Sequence, residues 1–440
     1  MTVEKSPHLT VLDSRTQKTY VLPITNNTVN AIDFRSIVPP SGKSNPADTS
    51  EAGLTVLDRG FLNTACIESS ITYIDAPRGR IQYRDQSIDH LFENNDYEEV
   101  LHLLVFSHLP TPEEKETFRR ALSEEMTKVP EVVKQVIQAF DPKSSTSAMI
   151  LAGLSAYAAV DEGSQALHSS AKPHYHGRMA AVDAAVVRTL AAAATTIAAV
   201  YCHKRGKPLT PADPSGSFIG NILLMMGHVD EDGKPSRRVE GCLKRLWILY
   251  ADHEMTNSTA AMLHASSTLT DPISASIAGI VSAYGPLHGG AIDLAYRGFQ
   301  QIGTPENVPA LIGAVKARKQ RLFGYGHRIY KVVDPRTHYI REMITEYATD
   351  DKLDELPFLK VALEIDRVAS NDPYFTSRNL KANADLYGAL LYSSLGFETD
   401  TIVAMAVMSR MGGAMAHWKE SMGQSTILWR PQQVFTGLVM

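Results

Sequence analysis

Cysteine is scarce in this 440-residue chain: Cys66, Cys202 and Cys242 are the three present, far apart and forming no CxxC pair. That excludes a disulfide framework and a paired-cysteine zinc site, and it fits a reducing compartment. Long basic runs are missing as well. With a formal net charge of -5, no stretch would track a phosphate backbone, which argues against nucleic acid as a partner. The opening residues, MTVEKSPHLTV, lack the apolar core of a secretory leader and the arginine-rich pattern of a transit peptide. The closing Gly437-Leu438-Val439-Met440 is not an SKL-type address, so the expected location is cytoplasmic. An uninterrupted membrane span is absent too. Ala180 to Val200 is rich in alanine, but Asp183 and Arg188 interrupt it, and alanine is too weakly hydrophobic to offset them. A buried helix with closely packed neighbours is expected there, and no membrane association. There is no repeat of fixed period and no low-complexity tract.

What is present reads as an ordinary globular chain, 44% hydrophobic and 21% charged, long enough for a large core and a smaller second domain. Leu9 to Asp13 and Thr19 to Ile24 are short and β-leaning, and the loop from Pro39 to Pro46 follows them. Residues 1–52 are therefore expected to form a strand-bearing arm. Ser69 to Asp75 alternates as a strand does, and Pro77-Arg78-Gly79 turns it back into Ile81-Gln82-Tyr83, which predicts a hairpin. After Ile88 the apolar spacing becomes helical, and Thr111-Pro112-Glu113-Glu114 signals a helix start. Residues 291–385 carry more charge and more turn residues than their flanks. This predicts a small domain inserted between two parts of a large helical one, 53–290 and 386–440.

Two glycine-rich runs carry the candidate chemistry, GPLHGGA from Gly285 to Ala291 and GYGHRIYKVVDPR from Gly324 to Arg336. Each holds one histidine among glycines, where the backbone can approach a ligand closely or adopt φ/ψ values that other residues avoid. Pro286 and the two glycines after His288 place that histidine at a break between helices, its ring toward a cleft. His327 repeats the pattern. An isolated histidine is more often a satisfied core residue, but two such turns followed by Arg336 point to proton transfer on an anionic substrate. A helix is expected to end in Asp252-His253-Glu254 and to carry Asn257 at i+4, so that His253 and Asn257 share a face. The HExxxN spacing is not that of a zinc protease, and an amide binds first-row metals poorly, so no metal is expected. His174 and His176 are expected at the surface of a loop. Arg410 is expected to end an apolar helix at Met408-Ser409-Arg410, and Arg430 precedes Pro431. Arginines at helix ends are usually structural, and these three matter only if they converge.

Taken in order, Ser70 to Asp75, Ala251 to Glu254 with Asn257-Ser258-Thr259, GPLHGGA, GYGHRIYKVVDPR, Asn383-Ala384-Asp385, Ala416-His417-Trp418 and Arg430-Pro431 form a pattern that resembles the citrate synthases over nearly the whole chain. The resemblance implies a mainly helical homodimer whose large and small domains close over substrate. It also implies condensation of an acyl-CoA with oxaloacetate, followed by thioester hydrolysis, with no cofactor beyond the CoA thioester itself. By the same resemblance Asp385 is the base that takes a proton from the carbon beside the thioester. His288 is the donor to the enol oxygen, and His327 the donor to the oxaloacetate carbonyl. His253, Asn257, Arg336 and Arg410 are oxaloacetate ligands, and Arg430 is a further one contributed from the other subunit. Gly324, Gly326 and Lys331 would meet the CoA.

The departures bear on the acyl group. Where the family has Pro-Asn-Val-Asp followed by a Tyr-Ser-Gly run, this chain has Ala382 to Asp385 followed by Leu386-Tyr387-Gly388. Tyr-Arg-Gly and His-Pro-Met are replaced by Tyr83-Arg84-Asp85 and Thr146-Ser147-Ala148-Met149. Four residues before the binding arginine, a common phenylalanine is Ala406. Space left by a missing aromatic ring favours a longer acyl chain by about 0.8 kcal/mol per buried methylene. This leans toward an alkylcitrate synthase, similar to fungal enzymes of specialised metabolism. Acetyl-CoA with a refilled pocket, propionyl-CoA, and a protein that binds CoA or a dicarboxylate without turnover remain the alternatives.

Overall fold

The computed structural model describes residues 6–38, 53–167, 172–348, 356 and 358–438. The predicted loop from Pro39 to Pro46 lies outside them. The chain separates into two compact units, the segment up to Glu68 with the tail from Arg430, and Ser69–Trp429. In the first, β1 (His8–Asp13) pairs antiparallel with β2 (Lys18–Pro23), His8 opposite Pro23. Gly53 adopts φ +68° in this unit, and a Cβ there would overlap the Arg35 carbonyl.

The second unit begins with the predicted hairpin, β3 (Thr72–Asp75) against β4 (Arg80–Tyr83), to which the short β5 (Gln86–Ser87) is added. Helices make up most of the rest: α1 (Ile88–Asn94), α2 (Tyr97–Phe106), α3 (Pro112–Met126), α4 (Glu131–Gln138), α5 (Thr146–Val160), α6 (Glu162–Ala166), α7 (Met179–Lys204), α8 (Phe218–Met226) and α9 (Arg237–Tyr250). After a bend come α10 (Asn257–Ser266), α11 (Pro272–Ala283), α12 (Ala291–Ile302), α13 (Val308–Lys316), α14 (Arg336–Ala348), α15 (Leu359–Asn371), α16 (Pro373–Thr376), α17 (Ala384–Ser394) and α18 (Thr401–Gly423). The starts are written in the sequence. Thr111 caps α3 in a capping box with Glu114, and Asp96 does the same for α2 with Glu99.

The apolar, alanine-rich α7 is long and apolar enough to cross a membrane, yet its central run from Leu190 to Ala198 is buried inside the unit. Small side chains let α3, α5, α8 and α18 pack around it. α18 is the second long core helix. Arg410 does not end it, contrary to the sequence-based expectation, because α18 continues to Gly423. The glycines after Arg410 are a packing surface rather than a stop. A Cβ at Gly412 would press on Leu101, and one at Gly413 would overlap the Ala251 carbonyl and the Asp252 carboxylate.

The Gly413 N–H meets the Ala251 carbonyl at 3.2 Å, so α18 lies directly against the end of α9. Gly413→Ala is expected to lower stability by about 1–3 kcal/mol, the usual cost of overpacking a filled contact, measured as a shift in urea midpoint at unchanged slope.

Candidate functional site

The site starts where α9 stops. Asp252 is fully buried, and its Oδ2 accepts from Thr72 Oγ1 (2.6 Å), the Glu254 N–H (3.1 Å) and His417 Nε2 (3.2 Å). The Tyr83 hydroxyl lies 3.0 Å from the carbonyls of both Ile248 and Asp252. Burial works to raise the Asp252 carboxyl, but His417 and Arg410 outweigh it and hold it below its ordinary value. Glu254 then takes φ +54°, and its carboxylate accepts the Ile74 N–H at 2.9 Å. A side-chain acceptor for a backbone N–H competes with helix, and a left-handed residue ends it. The helical face expected to carry both His253 and Asn257 is therefore broken: the first helix stops at Tyr250 and the next starts at Asn257. His253 projects from the bend, buried, whereas Asn257 opens α10, is exposed, and accepts from Ser282 Oγ at 2.5 Å.

His253 Nε2 lies 2.9 Å from the Tyr330 hydroxyl, and its ring is 5.4 Å from that of His327, centroid to centroid. His327 Nδ1 accepts the N–H groups of Ile329 (3.1 Å) and Tyr330 (3.2 Å). With its lone pair used there, the imidazole proton sits on Nε2. Gly324 and Gly326 hold φ +82° and +84° beside it. Their carbonyls accept the Asn383 backbone N–H (3.0 Å) and Asn383 Nδ2 (2.8 Å), and a Cβ at Gly324 would come within 2.9 Å of Leu386 Cα. These glycines dock the His327 turn onto the start of α17. Lys331 is exposed.

His288 occupies the predicted break between α11 and α12. Its glycines are needed for room rather than for positive φ: Gly290 has φ -59°, and a Cβ there would overlap the Tyr284 carbonyl. His288 Nε2 accepts the Ser258 N–H at 3.3 Å and lies 2.8 Å from the Ser258 hydroxyl. Its proton is therefore on Nδ1, the opposite tautomer to His327. Burial, followed by Arg410, lowers His288 to about 4, and burial with Arg336 does the same to His327. Burial and then Arg336 and Arg410 push His253 well below its ordinary value. All three imidazoles are neutral at pH 7.

Arg336 is buried and held by Asp334 through Nε to Oδ1 (2.9 Å) and Nη2 to Oδ2 (2.6 Å). Asp334 Oδ2 also accepts the Ala384 N–H at 3.2 Å, tying the start of α14 to that of α17. The Arg336 guanidinium sits 5.6 Å over the Tyr250 ring, and Arg410 Nε donates to the Tyr250 carbonyl at 2.6 Å. These two arginines converge. Arg430 is exposed and belongs to the other compact unit. Asp385 lies in the first turn of α17, its N–H accepted by Asn383 Oδ1 at 3.0 Å. Burial raises its carboxyl to about 6. Arg336 and Arg410 oppose that rise and Asp334 adds to it. Ala406 is half-buried on α18, one turn before Arg410.

Sequence reading missed Ser258, Tyr330 and Asp334, which fix the tautomers and the guanidinium. Asp334 had a signal, a short carboxylate two residues before an arginine; Tyr330 had none. The raised Asp385 carboxyl has a consequence for folding. Below pH 4 it is protonated in both folded and unfolded chains and costs nothing. Between 4 and 6 the unfolded chain ionises first and stability falls, and the loss is complete above 6. Asp385→Asn is expected to gain on the order of 2 kcal/mol at pH 8, discounted for partial exposure, and nothing at pH 4, read from urea midpoints.

The family model described as citrate synthase, C-terminal domain, matches residues 60–432. The chain is 45% identical to the citrate synthase-like protein oryE of Aspergillus oryzae, covering 99% of this chain and 98% of that one. It is 37% identical to the alkylcitrate synthase tstJ of Talaromyces stipitatus, with 98% and 95% covered. Among solved structures, its fold is similar to that of Thermoplasma acidophilum citrate synthase in a ternary complex with carboxymethyl coenzyme A and oxaloacetate. That match has a TM-score of 0.77 at 26% identity and covers 86% of this chain and 95% of the other. With the fold, the helix-break histidines and relatives matched over nearly their full length in agreement, the chain belongs to the citrate synthase family of condensing enzymes, a class of transferase.

Proposed function

We propose that the protein joins an acyl-CoA longer than acetyl-CoA to oxaloacetate and releases CoA. The observation that carries the condensing part of this reading is the pair of opposite tautomers, His288 protonated on Nδ1 and His327 on Nε2, with Asp385 raised toward neutrality. A carbon beside a thioester is a weak acid, so its proton leaves only if a base and a preplaced donor act together. Asp385 takes that proton while His288 Nδ1–H holds the enol oxygen, a contribution of roughly 3–4 kcal/mol per donor. The enol carbon then attacks the oxaloacetate ketone, whose oxygen receives the His327 Nε2 proton, and His327 regains a proton from solvent as Asp385 releases the one it took. Water finally cleaves the thioester, giving the alkylcitrate and CoA.

His253, Arg336 and Arg410 would hold the two carboxylates of oxaloacetate, the guanidinium forks matching their charge and shape. Asn257, exposed beside Ser282, is the weaker member of this set. In a homodimer Arg430 would come from the partner subunit. Gly324 and Gly326 would line the CoA and Lys331 would meet its phosphates, with residues 291–385 acting as the small domain that closes over both substrates. No metal or resident cofactor is needed in this scheme. The two buried free cysteines, Cys202 and Cys242, fit a reducing cytoplasm.

The leaning to a longer chain is supported by Ala406 and by the alkylcitrate synthase relative. CoA release with oxaloacetate and a series of donors tests it: kcat/KM should peak at several carbons. A peak at acetyl-CoA would make the protein an ordinary citrate synthase, and one at propionyl-CoA a methylcitrate synthase. Release from no donor would leave a binding protein. Ala406→Phe should move the preference toward acetyl-CoA; an unchanged preference would remove position 406 from the acyl site.

The base must be ionised, so kcat/KM should fall about tenfold per pH unit below pH 6. The neutral histidines add no second break between 6 and 8. A profile flat from pH 5 to 8 would remove Asp385 as the base.

A further inference from the structure

α18 turns one stripe toward α10 and α11, on which Arg410, Met411 and Ala414 face Ser258, Met262 and Gly279. Between them lies a cavity of about 20 Å³, room for one methyl- or water-sized group. Three of the polar groups beside it are engaged. Ser258 Oγ lies 2.8 Å from His288 Nε2, Arg410 Nε donates to the Tyr250 carbonyl, and the nearby Ser276 hydroxyl donates back to the Pro272 carbonyl at 2.6 Å. The rest of the lining, Met262, Ile280, Ala283, Val407, Met411 and Ala414, is apolar, so the space suits hydrocarbon.

Two walls can yield. Met262 and Met411 are unbranched thioethers with several rotatable bonds, side chains that reshape a cavity at little cost. One point cannot. A Cβ on Gly279 would lie 3.2 Å from both Met262 Cβ and the Ser258 carbonyl, so α10 and α11 are as close there as a glycine allows. Ala406 is not part of this lining.

We propose that this cavity is the inner end of a slot for the alkyl tail of the acyl donor, entered past Ser258 and Arg410 and lengthened as Met262 and Met411 swing aside. The inference rests on the condensing reading above and deepens it, because it adds to position 406 a second determinant of chain length at the α10–α11–α18 seam. Continuity with the reacting groups supports the assignment. Ser258 is shared between the slot and His288, and Arg410 is shared between the slot and the charges around Asp385. In its resting form the slot takes one methylene beyond acetyl. Each further methylene it admits should raise kcat/KM roughly fourfold, the transfer preference of a CH₂ group.

The test is kcat/KM for CoA release with oxaloacetate and acetyl-, hexanoyl- or decanoyl-CoA, in the wild type, Ala414→Leu and Met411→Ala. Ala414→Leu fills the slot and should lower the decanoyl-to-acetyl ratio by roughly tenfold or more. Met411→Ala opens it and should raise the same ratio severalfold, so the second variant carries the test if the first does not fold. An active wild type whose ratio stays within about twofold in both variants overturns the slot and leaves the condensing reading standing. A wild type that accepts acetyl-CoA alone overturns the slot too. No CoA release from any donor overturns the condensing reading itself, and the slot with it.

Discussion

A carboxylate with no exposure to water governs the geometry. Asp252 is shut off from solvent, and a charge in that position is tolerable only if donors surround it. The donors come from β3, from the bend after α9 and from α18, through Thr72, Glu254 and His417. Three pieces of chain far apart in sequence are thus required to meet at one atom. The histidine that follows Asp252 inherits its direction from that meeting, because the same carboxylate that gathers the elements also pulls the Glu254 N–H out of the helix.

Arg410 plays the matching part for charge. Its field reaches Asp252, His253, His288 and Asp385, helping to hold the first carboxyl down, opposing the rise of the second and disfavouring charge on the two imidazoles. Neutral imidazoles can each offer one N–H in a fixed direction, and the backbone chooses which nitrogen: Ser258 for His288, Ile329 and Tyr330 for His327. The tautomers are set by main-chain donors that mutation of a side chain cannot remove.

Much of this was legible in the sequence, and what failed did so for identifiable reasons. The hairpin, the Thr111 capping box, the buried alanine-rich helix and the break around His288 all follow from local rules of turn, cap and composition. The helical face expected to carry His253 and Asn257 did not form because tertiary contacts, Thr72 on Asp252 and Ile74 on Glu254, overrode a helical spacing. α18 was expected to stop at Arg410, but it runs on through Gly412 and Gly413. Here they admit the end of α9, a reason visible only once the neighbour is in place. Ser258 and Tyr330 carried no signal, since an ordinary hydroxyl becomes functional only when an imidazole is brought against it.

The opposing pulls on Asp385 have a kinetic meaning. Burial weakens its hold on charge while two guanidinium groups restore it, so the empty site keeps this carboxylate a poorer proton acceptor than burial alone would make it. An anion seated on Arg336 and Arg410 would cancel that restoring field, and the same carboxylate would then bind a proton more tightly. Under the proposed roles, occupancy of the two arginines by one substrate would therefore arm Asp385 for the other. That dependence would protect a thioester from idle enolisation in an enzyme that has not yet found its electrophile.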